Sequence, residues 1–324
     1  MRKRHRKRLR KKDIVKRRIL IISLIFSLTL ILTTGYSAFS TNINLSAKGN
    51  IYDKGDLCYE ISDNEDGTVT ITDYDKSCGS EVNIPSTIRG KTVTKIGDTK
   101  YNIKNVFNGK QLTKVTIPDT VKYIGEYAFW YNNITSLDLG NGVEEINTEA
   151  FANNNLTNIV FPSSLKKIGI EVFRSNNLTS IPPLDNIEYG GGAFTGNNLT
   201  GDNIFIYGKN SGGIIDNTIL NSYGTKSTKE ITLPSNIKTI QSYTFRLIYA
   251  DELNLTNVEN IEKYTFFQTR IPTINISNTI KSISERAIIQ NADIKTININ
   301  RKENAIAGAP WGDKSITVNW TGTD

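Results

Sequence analysis

The chain has 324 residues, 38% hydrophobic and 22% charged, enough for a sizeable core, and a formal net charge of +7. The charge does not mark a nucleic-acid binder, because 12 of the 39 Lys and Arg residues fall in the first 18 positions with one acid, leaving 27 basic against 31 acidic residues beyond them. The single histidine, His5, lies in the same tail, which excludes a Ser-His-Asp or Cys-His site and His-ligated zinc from everything that follows.

In chain order, residues 1–18 read as a basic cytoplasmic tail and residues 19–40 as a signal peptide or transmembrane anchor. No charge occurs from Ile19 to Ala47, and the positive-inside rule holds the basic cluster in the cytoplasm and sends the chain beyond Thr41 outward. Ile19 to Leu32 is short for a span of about 20 residues, and Thr33 to Phe39 can complete it. Small residues at Ser37, Ala38 and Ser40 offer a peptidase site, so retention and cleavage both stay open. The stretch "YSAFSTNINLSAKG" resembles the leader ends of exported Gram-positive matrix-fibre proteins of the camelysin type, which implies a cut after the small residue before Phe39. Expected location is therefore extracellular, tethered by this segment or released. Residues 41–57 read as a linker.

Residues 58–81 read as an N-terminal hairpin cap, with "DNEDG" turning between "CYEIS" and "TVTITDY". Counting back from Gly67 puts Ser62 at the first position of a calcium loop, so a D-G turn is the better reading. Cys58 and Cys78 are the only cysteines, and in an exported chain they are expected to pair. Closing that loop would stabilise the fold by roughly 3 kcal/mol.

From residue 82 to 300 one unit recurs. Phe129, Phe151, Phe173 and Phe194 follow one another at steps of 22, 22 and 21, with Leu112, Ile134, Leu156 and Leu178 in phase. A looser block places Ile231, Leu253, Ile274 and Ile297 in step, with Phe245, Phe266 and Ile288 in the aromatic slot. Units this short cannot bury their own apolar face, so the period predicts a solenoid of stacked rungs, about ten in number. Val115, Thr116 and Ile117 alternate in, out and in as a short strand, and Pro118, Pro162 and Pro234 end such strands. Between the blocks, "IFIYGKNSGGIIDNTILNSYGTKSTK" carries an irregular rung.

Asn132, Asn154, Asn176 and Asn197 each stand three residues after a Phe, where an amide can bond backbone groups that a tight bend leaves unpaired. Recurrent "NIT" and "NLT" match glycosylation acceptors, but their phase with the repeat favours the structural role. The second block has Ile248 and Thr269 in that slot, so its turns are expected to be held differently.

"LTKVTIPDTVKYIGEYAF" and "LTNIVFPSSLKKIGIEVF" resemble the BspA-type (Treponema-type) leucine-rich repeat family over about Val82 to Asn300. That family usually has Cys where this chain has Asn132 and its equivalents. The resemblance implies short parallel strands stacked with irregular or short helical returns, and a bacterial surface or secreted protein that binds host or matrix components. Residues 301–324 are similar to the C-terminal caps of such arrays, with Trp311 and Trp320 over the last rung.

No phosphate loop is present, since Gly190 to Gly192 lack a following Lys, and no cofactor, metal or nucleic-acid partner is expected. A carboxylate-only hydrolase could use a pair such as Glu144 and Glu145, and adjacent acids on a repeat face read first as solvated charges. Outward strand positions form a column: Thr116, Asp138, Val160, Pro182, Phe205, Thr232, Asn254, Asn275 and Asn298. Its apolar run, Val160, Pro182 and Phe205 with Tyr207 beside it, is the expected binding patch unless the irregular rung covers it. Trp130 and Tyr131 form a second candidate. The function expected is noncatalytic recognition of a protein or matrix partner, with a structural spacer as the alternative.

Overall fold

The computed structural model describes residues 43–45, 51–97, 106–291, 293–312 and 314–323, in two units, Met1–Leu57 and Cys58–Asp324. The basic tail and the apolar segment 19–40 lie outside the described residues, among which no helix is long and apolar enough to cross a membrane. In the first unit, Ile43–Leu45 pairs antiparallel with Ile51–Asp53, so the stretch read as a linker carries a short ladder.

The second unit is a β-solenoid with two strand faces. One face stacks Glu81–Asn83, Lys114–Thr116 and Ser136–Asp138 in parallel, residue for residue, the last two at the repeat spacing and the first a longer step ahead. Val115 and Ile117 are buried and Thr116 is half-buried, so the alternation read from sequence sets which side faces the core. The other face stacks Lys91–Ile96, Tyr123–Ile124, Glu145–Ile146, Lys167–Ile168 and Glu188–Tyr189, each two-residue rung burying or half-burying its second residue. The hairpin Tyr59–Asp63 and Val69–Tyr74 opens this second sheet, and Val69–Tyr74 continues it in parallel to Lys91–Ile96. The D-G turn is made as expected: Gly67 takes φ 80° and Asp66 accepts from both the backbone N–H and the hydroxyl of Thr68. Cys58 and Cys78 form a disulfide with Cα atoms 6.0 Å apart, joining the residue just before this hairpin to the short turn just after it.

Each rung closes through a turn centred on the repeated Phe. Rings of Phe107, Phe129, Phe151, Phe173 and Phe194 stack in sequence, 4.7 to 5.8 Å apart and within 12° of parallel. Phe245 and Phe266 repeat this at 5.7 Å. The residues two before and two after the aromatic are left-handed, as in Tyr127 and Tyr131, Glu149 and Asn153, Glu171 and Ser175, or Tyr243 and Leu247. Only around Phe194 are both glycine, Gly192 and Gly196; elsewhere the stacked rung must hold a conformation that L-residues resist.

The irregular rung breaks the stack. Phe205–Lys209 doubles back antiparallel to Ile215–Tyr223, and only the latter continues in parallel, to Thr239–Ile240, Asn260–Ile261 and Ser282–Ile283. Glu188–Tyr189 therefore ends one sheet and Phe205–Lys209 begins another. The apolar core divides at the same place, one cluster running from Tyr59 to Ile206 and the next from Leu220 to Ile316, with Ile204 packed against both. On the first face, the parallel ladder resumes with Glu230–Thr232 and runs through Glu252–Leu255, Thr273–Ile276 and Thr296–Ile299 to Thr317–Trp320. Trp311 is fully buried and meets Trp320 edge-on at 6.3 Å, which places the expected cap residues at the last rung.

Candidate functional site

The register confirms two lengths of the outward column. Asn83, Thr116 and Asp138 stand side by side, and Thr232, Asn254, Asn275, Asn298 and Asn319 form the second length. Between them lies the expected apolar patch, and here the structure differs from the column. Phe205 is not on this face. It sits in the hairpin strand opposite Tyr223, its ring 5.9 Å from the Tyr223 ring, half-buried against the second core cluster. Tyr207 shares that strand and its carbonyl accepts from the Tyr189 hydroxyl at 2.6 Å. The irregular rung does not add a strand to the column at this point, and the repeat count across it misplaces Phe205 by a whole face.

Val160 and Pro182 remain at the repeat positions that follow Asp138. Neither belongs to an assigned strand, because Pro182 and Pro183 bring no N–H to a ladder and so leave the chain around Ile159 without a partner on that side. Ile159 is buried while Val160 is 77% exposed, so the alternation persists without the hydrogen bonds. Tyr131, 66% exposed, lies 5.5 Å from the Trp130 ring, and Tyr127 meets Trp130 edge-on at 6.3 Å, making a small aromatic edge on the turns.

The Asn ladder is as the spacing implies. The Asn176 amide oxygen accepts from the Leu156 N–H at 3.0 Å, and its nitrogen donates to the Phe151 and Phe173 carbonyls at 2.9 and 3.2 Å. Asn132, Asn154 and Asn197 repeat these bonds one rung apart. In the second block the backbone takes over: the N–H groups of Ile248 and Thr269 close the turn onto the Phe245 and Phe266 carbonyls at 3.2 Å. Thr244 and Thr265, each just before the aromatic, add hydroxyl bonds to the Gln241 carbonyl at 2.8 and 3.2 Å. The last copy restores an Asn to the slot, Asn291, three residues after Ile288.

A buried ionic cluster joins the blocks. Arg174 meets Glu149 at 2.7 Å and Glu171 at 2.9 Å, and Arg246, from the far side of the irregular rung, meets Glu149 at 3.0 Å and also contacts Glu171. Burial pushes the Glu171 carboxyl up to about 7 against the pull of Arg174 and Arg246. Nothing in the periodicity flags this cluster, since its partners lie up to 97 residues apart. Glu144 and Glu145 make cross-rung ion pairs, with Lys166 at 2.6 Å and Lys167 at 2.9 Å, as the charges of a solvated face do. The Lys166 hydrogen bond and charge hold the Glu144 carboxyl low, which is the opposite of what a general acid needs.

A family model for BspA type leucine rich repeat regions matches in six copies over residues 100–210 and 214–311. The chain belongs to that family. Solved structures similar to this BspA-type chain include a leucine-rich repeat protein from Eubacterium ventriosum, 19% identical, covering 87% of this chain and 95% of its own, with a TM-score of 0.44. Another, from Bacteroides ovatus, is 18% identical over 81% of this chain and 75% of its own, with a TM-score of 0.43. The pneumococcal vaccine antigen PcpA is 16% identical over 82% and 86%, with a TM-score of 0.41. No curated protein matches the BspA-type chain.

Proposed function

We propose that this chain is the noncatalytic binding module of a bacterial surface or secreted protein, tethered by its N-terminal segment or released by cleavage. It recognises a protein or matrix partner through the strand face of the solenoid. The observation that carries this reading is Val160, 77% exposed beside Pro182, where the strand ladder of an otherwise polar face is interrupted. A large apolar side chain presented to solvent costs the fold nothing to remove and is available to a partner. Family membership and the basic tail ahead of an uncharged apolar segment support export. Trp130 and Tyr131 offer a second anchor at the turn edge.

An unbiased cell-surface and matrix partner screen with the full chain, followed by affinity measurements on Val160→Asp and Tyr131→Asp, tests it. Loss of about 2 kcal/mol of binding, roughly 30-fold in affinity, with an unchanged melting temperature is expected for at least one of the two. Unaltered affinity in both places recognition elsewhere on the molecule, and recovery of only the chain itself favours the spacer reading.

A further inference from the structure

The second length of the outward column does more than hold rungs together. Asn254 donates to the Glu230 carboxylate at 2.7 Å, Asn275 to the Asn254 amide oxygen at 2.8 Å, Asn298 to Asn275 at 2.7 Å and Asn319 to Asn298 at 2.9 Å. All four amides point the same way, and the line ends on a carboxylate, which suits the aligned dipoles. Asn275 spends its second hydrogen on Glu252. For Asn254, Asn298 and Asn319, no group among the described residues takes the second hydrogen. Each therefore presents a fixed donor toward the open face, held in place by its neighbour.

Asn254, Asn275 and Asn298 line an open groove of about 600 Å³ that runs from Thr232 to Thr321, and Asn319 follows Asn298 in the same column on the last rung. Across four rung intervals of ~4.8 Å, that is roughly 19 Å of surface. Its lining combines amides and hydroxyls, with Thr256, Ser277 and Asn300 beside the ladder, with some apolar surface at Leu255 and Ile276, and it holds no charged or aromatic side chain. That composition does not suit a protein hot spot, which is built on aromatic or Arg anchors. It suits a ligand that is itself uncharged, both donor and acceptor along its length, and long enough to meet donors two rungs and then one rung apart. The two nearby carboxylates, Glu230 and Glu252, disfavour an anionic chain.

We infer that this groove binds a neutral polysaccharide, laid along the solenoid axis with sugar hydroxyls bonded to the Asn254 and Asn298 amides and, on the last rung, to Asn319. The site is separate from Val160 and from the protein recognition proposed above.

Titration calorimetry of the full chain against cellohexaose, laminarihexaose and maltohexaose, with a hexagalacturonate as the anionic probe, tests the inference. At least one neutral hexasaccharide binds saturably, and Asn298→Ala and Asn319→Ala each weaken it about 5-fold, the value of one neutral hydrogen bond. Asn319 is exposed on the last rung, so its variant keeps the test open if Asn298→Ala fails to fold. Val160→Asp leaves glycan affinity unchanged, which separates this outcome from that of the protein-binding reading. The inference is overturned if no neutral hexasaccharide binds, if both Asn variants bind as the wild type does, or if the hexagalacturonate binds as tightly.

Discussion

At the scale of single residues, the fold uses recurrent asparagine for two opposite purposes, one buried at the turns and one open on the strand face. Asn176 is fully buried and all its capacity goes to backbone groups that face no water. Removing the amide strands the Leu156 N–H and two carbonyls, each costing about 1–3 kcal/mol when unpaired, although the carbonyls keep some access to neighbouring donors. Asn176→Ala is accordingly expected to lower unfolding free energy by about 3 kcal/mol in a urea titration. An effect below 1 kcal/mol would mean the turn closes on its own backbone, as it already does at Ile248 and Thr269. The role of Asn132, Asn154, Asn176 and Asn197 was legible in the sequence because a short amide recurring in phase with a bend finds the same unpaired backbone groups within reach at every copy. Thr244 and Thr265 were not legible, because two hydroxyls in two rungs make no period.

At the scale of elements, the irregular rung is where reading and structure part. From Lys114 to Asp138 the spacing alone gives the register, since each rung is one copied unit and parallel pairing follows residue for residue. Phe205 fails because the hairpin Phe205–Lys209 and Ile215–Tyr223 reverses the chain within the return face, and no spacing rule reports a reversal. Tyr223, not a Phe, fills the turn slot there, 5.6 Å from Phe245. Arg246, beyond that rung, reaches back to Glu149 and Glu171. Arg246 keeps its proton throughout, so the carboxyl is the group whose proton count changes with pH. Glu171 titrates at about 7 in the fold against 4.5 as the ordinary value, chiefly through burial. A raised folded value contributes stability that is fully present below about 4.5 and is lost as pH rises through about 7. Glu171→Gln mimics the protonated group, so the variant should gain on the wild type between pH 4.5 and 8, by on the order of 3 kcal/mol. Unfolding free energies of both chains at pH 4.5 and pH 8 check this. A difference that does not move with pH would show that the two guanidiniums hold Glu171 ionised throughout.

At the scale of the whole molecule, a solenoid is stabilised rung against rung, so its weakest interface sets how it comes apart. The interface between Glu188–Tyr189 and Phe205–Lys209 has no strand pairing, and the two core clusters meet there through Ile204. Side chains and turns carry the load instead: Tyr189 to the Tyr207 carbonyl, Lys209 to the Asp185 carbonyl at 2.6 Å, and the turn of Gly191 and Gly192 set directly on Ser242 and Tyr243. A Cβ on Gly191 would stand 2.3 Å from the Ser242 carbonyl oxygen, a new side chain pressed on backbone with nowhere to yield. Gly191→Ala must therefore push the two blocks apart, at a cost of about 1–3 kcal/mol. That strain falls on an interface where the return-face ladder is broken as well, so the variant is expected to unfold in two calorimetric transitions where the wild type shows one. Hydrogen exchange should then assign the less stable transition to one block, with residues before Ile206 and after Leu220 protected to different extents. A single transition, merely lowered in temperature, would show instead that coupling across the irregular rung equals that between regular ones, and that Ile204 with the ionic cluster beside it compensates for the absent strand pairing.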